Sequence, residues 1–315
     1  MTTPPLAAPV KDADHRDSLT PAQMAWRRFV RHKMALAGLG LLALLILFVT
    51  AGAFFYSEAD ANATDLTNGL TPPSWENPFG VDVTGRNILA RCIYGGQVSM
   101  AIGVLSVVAS LVVGVLIGAI AGYYGGVIDS ILMRFTEAAF NIPQLFLLIV
   151  LAKFFGGRVP TVAILGRAFS GSVVVIIAVI GLTSWMYLAR IVRANFLSLK
   201  EQEFITAARC IGVRDINIIL EHIMPNTVAP IIVTATLQVA NAILSEAYVS
   251  FLGLGVQPPT ATWGNMLNEA YGHLEGAPWM WFFPGLMILL TVLAINFVGD
   301  GLRDALDPRA LAEAE

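Results

Sequence analysis

Charged residues are scarce in this chain. They make up 13% of its 315 residues, whereas 56% are hydrophobic, and a soluble domain carries about a quarter charged residues. The mean hydropathy is +0.71. This deficit of charge predicts a protein whose solvent is largely lipid. The net charge of −3 provides no basic field that would favour a nucleic-acid partner.

Residues that build disulfide frameworks and metal centres are also few. The two cysteines, Cys92 and Cys210, lie far apart, and the four histidines are scattered without ligand spacing on one helix. Two isolated thiols are the simplest interpretation of the cysteines. We expect no metal site within this chain.

A nucleotide-binding motif is missing as well. None of the four lysines follows a glycine, whereas a P-loop needs Gly-Lys-Ser/Thr to hold phosphates. We therefore expect a non-catalytic chain that binds no cofactor itself. If ATP drives its activity, ATP and Mg must be bound by partner subunits.

Long apolar runs dominate what remains. A spanning helix needs about 20 apolar residues, and lipid excludes unpaired backbone from the bilayer. The sequence therefore predicts an all-α, multi-pass membrane protein. Six candidate transmembrane helices cover residues 34–56, 97–128, 131–155, 168–189, 228–251 and 277–299.

Lys and Arg residues set the predicted orientation. Most of the 19 fall on the inner side if both termini are cytoplasmic, as the positive-inside rule requires. The chain then divides into a cytoplasmic tail with an interfacial helix (1–33), a first transmembrane helix (34–56), a periplasmic loop (57–96), a core of five further helices (97–300) and a cytoplasmic tail (301–315). The first helix is longer than the apolar part of a signal peptide and is expected to be an uncleaved anchor.

A short helix is predicted ahead of the first span. Thr20, Pro21 and Gln23 form a capping box with proline in the first helical position. Apolar residues then face one side among basic ones, which favours a helix on the inner leaflet. A disordered basic tail is the alternative.

The cytoplasmic segment 198–226 has the pattern of a helix, a turn and a return helix. Ser198 and Glu201 predict a capping box, followed by a helix of about 13 residues, roughly 20 Å long. We expect this helix to bury Phe204, Ala208 and Ile211. A helix of that length is marginal alone in water, so it must pack on the chain's own spans or on another protein.

The turn and the return helix have signals of their own. Gly212 is predicted as a C-cap glycine, Asp215 as the cap of the return helix, and Pro225 as its end. The expected apolar face of the return helix consists of Ile216, Ile219, Leu220 and Ile223.

The stretch "ITAARCIGVRDINIILEHIMPN" (205–226) resembles the EAA loop of bacterial ABC importer permeases. The family pattern of two alanines, a glycine and a later proline matches Ala207, Ala208, Gly212 and Pro225. Thr206 stands where the general pattern has an acid. The resemblance implies a coupling helix that docks in a groove of an ATPase subunit, with contacts from Glu203, Phe204, Thr206, Ala207, Ala208, Arg209, Gly212 and Pro225.

Four other segments resemble the C-type subunit of the dipeptide/oligopeptide permease branch: 79–104, 121–137, 244–267 and 301–309. The resemblance covers about residues 20–310 and implies a type I ABC importer permease of the bacterial inner membrane. Its implied partners are a homologous permease in a heterodimer, two ATP-binding cassette ATPase subunits and an extracytoplasmic substrate-binding protein. Nickel chelates and glutathione are alternative cargoes within the branch.

Polar residues interrupt the fifth predicted span. Thr234, Gln238, Asn241 and Ser245 fall within about 60° of one another on a helix. They form either a wall of the translocation path or interhelical hydrogen bonds.

Two further polar residues on the spans are ambiguous. Glu246 lies beside the stripe and, because a charge at membrane depth is costly, is expected to support structure near the outer mouth or to contact cargo. Asn296 on the sixth span has the same two interpretations. Outside acids such as Asp82 and Glu269 are expected to be solvated, and attraction of a peptide amino terminus or a cation is the alternative.

Two other classes of protein stay open. A secondary transporter driven by an ion gradient would work alone and would favour paired charges in the membrane. A structural membrane scaffold would need neither the polar stripe nor the small-residue loop.

Overall fold

The computed structural model describes residues 20–155, 158–164 and 167–307. Of the predicted tails, 1–33 and 301–315, residues 1–19 and 308–315 lie outside the described residues. The long helices are α2 (Lys33–Ala51), α4 (Ile88–Tyr124), α7 (Gly171–Leu199), α10 (Met224–Phe251) and α12 (Trp279–Leu306). The shorter ones are α1 (Pro21–Arg31), α3 (Glu58–Asn62), α5 (Gly126–Phe140), α6 (Gln144–Phe155), α8 (Glu203–Cys210), α9 (Asp215–Asn217) and α11 (Trp263–Ala270). A small antiparallel hairpin, β1 (Val162–Ile164) and β2 (Arg167–Phe169), joins α6 to α7.

Within the described residues, five helical stretches are long and apolar enough to cross a membrane: 33–54, 88–124, 171–199, 215–251 and 279–306. The predicted third span, 131–155, is not one helix. It is divided between α5 and α6, which are bent by 81°. Pro143 explains the break, because proline cannot donate a helical hydrogen bond and disfavours helical geometry at the residue before it.

Helix ends differ from the predicted edges of the apolar runs. The helix α4 begins nine residues before the predicted span, at Ile88, because the Asn87 side chain accepts a hydrogen bond of 3.0 Å from the Ala90 amide. The segment before α4 therefore ends at residue 87, whereas the predicted loop extends to residue 96. Caps and buried contacts, not hydropathy alone, set these boundaries.

Helices α4 and α7 approach closely along a row of glycines. A Cβ atom on Gly114, Gly118 or Gly122 would lie within 3.0 Å of a backbone or side-chain atom of α7. A Cβ on Gly103 would lie 2.6 Å from Ile243 of α10. The missing side chains at Gly103, Gly114 and Gly118 therefore allow α4 to approach α7 and α10 closely.

The predicted capping box of α1 is present in full. The Thr20 hydroxyl accepts from the Gln23 amide at 3.4 Å, and the Gln23 side chain accepts from the Thr20 amide at 3.0 Å. Phe29 is buried against Ala35 and Ala305. The helix α1 therefore packs on α2 and on the C-terminal end of α12.

The bundle has two distinct ends. One end holds α1, the segment 201–223 and the C-terminal end of α12. The other holds the loop 57–87 and α11, where Trp279 Nε1 donates to the Val81 carbonyl at 3.1 Å. Buried Cys92 lies near the second end and exposed Cys210 at the first.

Candidate functional site: the coupling segment and the polar trough

The turn after α8 has the predicted glycine cap. Gly212 has φ +83°, a conformation that costs glycine little and other residues more. Its amide donates to the Arg209 carbonyl at 3.0 Å, and the Val213 amide donates to the Ala208 carbonyl at 3.1 Å. This pair of bonds is a Schellman motif.

The start of α8 is not where the sequence predicts it. Ser198 lies inside α7, which continues to Leu199, and α8 has eight residues beginning at Glu203. The predicted capping box at Ser198 and Glu201 is therefore wrong. Phe196 is fully buried in an apolar cluster with Ile205 and Ile218. Burial of that turn of α7 outweighs the local capping signal.

The return arm also differs from the prediction. Asp215 is no cap; its carboxylate accepts a hydrogen bond of 2.6 Å from the Tyr123 hydroxyl. Pro225 does not end the arm, which continues through a π-helical stretch, Ile218–Ile223, into α10. The Met224 amide donates a hydrogen bond to the Ile219 carbonyl, five residues earlier in the chain. This wider turn accommodates the proline that follows.

The coupling segment, residues 203–223, buries a different face from the predicted one. Ile205 and Ala208 are buried, together with Ile218 and Ile223. Ala208 was predicted in this core, whereas the predicted burial of Phe204 and Ile211 is wrong and Ile211 is 81% exposed. A helix with two apolar stripes gives no sequence signal for which stripe faces its own chain.

Large apolar side chains consequently remain on the surface of the coupling segment. We call them the docking face: Phe204, Ile211, Ile216 and Leu220. Among the residues that the resemblance assigns to ATPase contact, Ala208 is buried, and the exposed ones are Glu203, Phe204, Thr206, Ala207, Arg209, Gly212 and Pro225. Exposed apolar groups of this kind occur at protein–protein and membrane interaction sites.

A cavity of about 510 Å³ lies between α7 and α10. The whole predicted polar stripe lines it: Thr234, Gln238, Asn241 and Ser245. From outside α10 it is lined by Gln144, Thr183, Ser184 and Tyr187, among others, and none of the described lining residues carries a charge. Thr183, Ser184 and Tyr187 follow helical spacing, a signal that was available in the sequence of α7.

Gln238 serves both interpretations of the stripe. Its side-chain amide donates to the Ser184 carbonyl at 3.3 Å, and its carbonyl accepts from Ser110 at 3.5 Å. It therefore joins α10 to α7 and α4 while forming part of the cavity wall.

A second cavity, of about 580 Å³, continues from the first. The two share Tyr187, Thr234 and Leu237. The second extends to Ser198 and Arg303 at the end of the bundle that holds the coupling segment. Because the two cavities share these lining residues, we treat them together and call them the polar trough.

Glu246 and Asn296 do not line the trough. Glu246 is fully buried, and its carboxylate accepts from Ser99 at 3.0 Å and from Ser250 at 2.7 Å. Asn296 is half-buried on α12.

The outer acids are not all solvated, contrary to the prediction. Asp82 and Arg91 are buried. Arg86 contacts both Asp82 and Glu269 at 2.6 Å, and Arg91 contacts Glu269 at 3.2 Å. Buried charges require such partners, and this cluster attaches the loop 57–87 to α11.

Comparison with known families gives two matches. Residues 114–311 match the family model described as "Binding-protein-dependent transport system inner membrane component". Residues 20–73 match the "N-terminal TM domain of oligopeptide transport permease C". The chain belongs to the inner membrane permease family of binding-protein-dependent transport systems. The helical fold with several candidate membrane spans agrees with the description of that family as an inner membrane component.

Curated permeases of this family are similar over nearly the whole chain. The Oligopeptide transport system permease protein OppC from Haemophilus influenzae is 40% identical, over 91% of this chain and 88% of its own length. The Dipeptide transport system permease protein DppC from Bacillus subtilis is 39% identical, over 95% and 89%. The Glutathione transport system permease protein GsiD from Escherichia coli is 43% identical, over 92% and 91%.

A solved permease fold also matches. A chain of the MetNI methionine ABC transporter, in inward-facing conformations, superposes with a TM-score of 0.54 at 17% identity. The match covers 69% of this permease and 96% of that chain. It establishes the fold shared with an ABC importer.

Proposed function

We propose that this permease is the transmembrane subunit of an ATP-driven importer of dipeptides or oligopeptides. It would lie in the bacterial inner membrane with the coupling segment and both described ends of the chain in the cytoplasm. A homologous permease, two ATPase subunits and an extracytoplasmic substrate-binding protein would complete the complex. ATP and Mg would bind to the ATPase subunits, and this chain would have no catalytic role.

The observation that carries this proposal is the shared location of the trough and the docking face. The polar trough reaches the same end of the bundle as Phe204, Ile211, Ile216 and Leu220. A partner bound to that face would therefore act where the trough opens. ATP binding would close the ATPases and move the coupling segment, which would turn the trough from inward to outward, and hydrolysis would reset it.

The chemistry of the trough supports a peptide cargo. The first of its two cavities, of about 510 Å³, is lined in part by hydroxyl and amide side chains, and none of its described lining residues is charged. Charged lining residues, Arg303 and Asp307, belong to the second cavity. Hydroxyl and amide groups pair with peptide N–H and C=O groups whatever the cargo's side chains are. The relatives named for oligopeptide and dipeptide transport point to the same class.

Glutathione is the second candidate cargo, because a relative 43% identical is named for its transport. Nickel chelates, the other alternative of the branch, have no specific support among these observations. An ion-driven secondary transporter is disfavoured, because Glu246 is buried away from the trough.

Reconstitution of the complex in proteoliposomes tests the proposal. We expect uptake of a radiolabelled dipeptide that requires ATP, the binding protein and both ATPases, and none with this permease alone. Competition by unlabelled oligopeptide and by glutathione distinguishes the two cargoes. Uptake by the permease alone in an ion gradient would overturn the proposal.

A further inference from the structure

Tyr123 contacts both arms of the coupling segment, which are the outgoing helix α8 and the return arm that begins at Asp215. Its hydroxyl donates to the Asp215 carboxylate at 2.6 Å on the return arm. The Arg209 guanidinium carbon, on the outgoing arm, lies 5.6 Å from the centroid of its ring, within the range of a cation–π contact. The ring itself is buried in the cluster that includes Ile205 and Ile218.

The helix that carries Tyr123 extends from the coupling segment to the outer end of the bundle. It is α4, with 37 residues. Ser110 on α4 bonds to Gln238 of the trough wall, and Ser99 bonds to Glu246. Arg91, near the beginning of α4, bonds to Glu269 of α11. One continuous helix therefore contacts the coupling segment, the trough and the outer segment.

The stretches of chain that connect the coupling segment to α7 and α10 are less regular than the continuous helix α4. Toward α7, the chain passes through a turn at residues 200–202. Toward α10, it passes through the π-helical stretch Ile218–Ile223, and irregular stretches of this kind accommodate displacement. The Tyr123 hydrogen bond reaches the return arm before that stretch, at Asp215. Apolar packing holds the arms against the bundle, but a hydrogen bond of defined direction fixes their position relative to α4.

We propose that the Tyr123–Asp215 hydrogen bond makes Tyr123 a positioning residue for energy coupling, through which displacement of the coupling segment is delivered to α4 and so to the trough wall. This inference rests on the proposed function. Tyr123 acts through α4 and contacts neither nucleotide nor cargo.

The test uses the complete reconstituted complex and two readouts. These are the number of peptides transported per ATP hydrolysed and the stimulation of ATPase activity by the loaded binding protein. Tyr123→Phe removes one oxygen and keeps the buried ring. Because a hydrogen bond to a charged acceptor is lost, we expect the transport-to-hydrolysis ratio to fall by about tenfold, with subunit assembly unchanged. The adjacent Tyr124→Phe, at an exposed position, is the matched control and should retain the wild-type ratio.

Variants of the acceptor keep the inference testable if Tyr123→Phe folds poorly. Asp215→Asn retains an acceptor oxygen and should stay within about twofold of the wild-type ratio. Asp215→Ala should lose as much as Tyr123→Phe. The double variant Tyr123→Phe/Asp215→Ala should be no worse than either single variant, because both remove the same bond.

The outcomes separate the two proposals. If the wild-type complex shows no ATP-dependent uptake, the proposed function fails. If the wild type is coupled and Tyr123→Phe retains its ratio, or if Tyr124→Phe loses as much, the positioning role is overturned. Loss of ATPase binding with a normal ratio in the remaining complexes would overturn it too, since the bond would then serve docking.

Discussion

Glu246 ties three parts of the permease together through one carboxylate. Ser99 on α4 and Ser250 on α10 both donate to it. Each serine also accepts from a backbone amide of the segment after α10: Ser99 from Trp263 at 3.3 Å, and Ser250 from Val256 at 3.2 Å. The burial that makes this carboxylate costly also makes its hydrogen bonds important for local order.

We expect Glu246→Gln to lower stability without changing cargo recognition. The amide has one acceptor oxygen for two hydroxyl donors, so one bond must be rearranged, at a cost of about 1–3 kcal/mol. Thermal unfolding in detergent should show a lower Tm, while the KM for peptide uptake stays unchanged. A changed KM at an unchanged Tm would place Glu246 in contact with cargo and contradict the structural role.

At the scale of elements, the pairing of α4 and α7 depends on glycine. The absence of a side chain at Gly118 allows the two helices to approach. A Cβ there would lie 2.5 Å from the Ala189 carbonyl oxygen and 2.7 Å from Val192 Cβ. Backbone oxygen cannot move aside as a flexible side chain can. The two helices would have to separate to admit even a methyl group.

We expect Gly118→Ala to destabilise the permease by about 1–3 kcal/mol, the usual cost of overpacking. Gly40→Ala is the matched control, because a Cβ at Gly40 of α2 meets no atom of the described residues within 4 Å. Thermal unfolding of the two variants in the same detergent gives the comparison. Equal Tm values would show that α4 and α7 can separate at little cost in stability, and would contradict the expected role of Gly118.

The sequence predicts those features of the elements that local physics decides. The capping box at Thr20, the positive φ at Gly212 and the polar stripe on α10 depend on neighbouring residues, and each is found. The end of α7, the buried face of α8 and the extent of the return arm depend on distant contacts. Ser198 has a capping signal but lies inside α7, because Phe196 is buried; Pro225 has a breaking signal, but the π-helical stretch before it lets the helix continue.

At the scale of the whole molecule, the two ends of the bundle have different surfaces. The end with the coupling segment holds the docking face and the mouth of the trough, and basic residues of α1 such as Arg27 lie there. The opposite end holds the acidic loop 57–87, attached by the charge cluster at Asp82. In the proposed orientation the first end faces the cytoplasm, as the positive-inside rule favours.

The cysteines allow the proposed orientation and the proposed docking of ATPase subunits to be tested together. Cys210 is exposed on α8, whereas Cys92 is buried near the opposite end. We expect a membrane-impermeant maleimide to label the permease in inside-out vesicles and not in right-side-out ones, with labelling abolished by Cys210→Ser. Because Cys210 lies between exposed residues of the coupling segment, binding of the ATPase subunits should protect it, and their removal should restore labelling. Labelling in right-side-out vesicles would show the opposite orientation. Equal labelling with and without bound ATPases would show that they dock elsewhere.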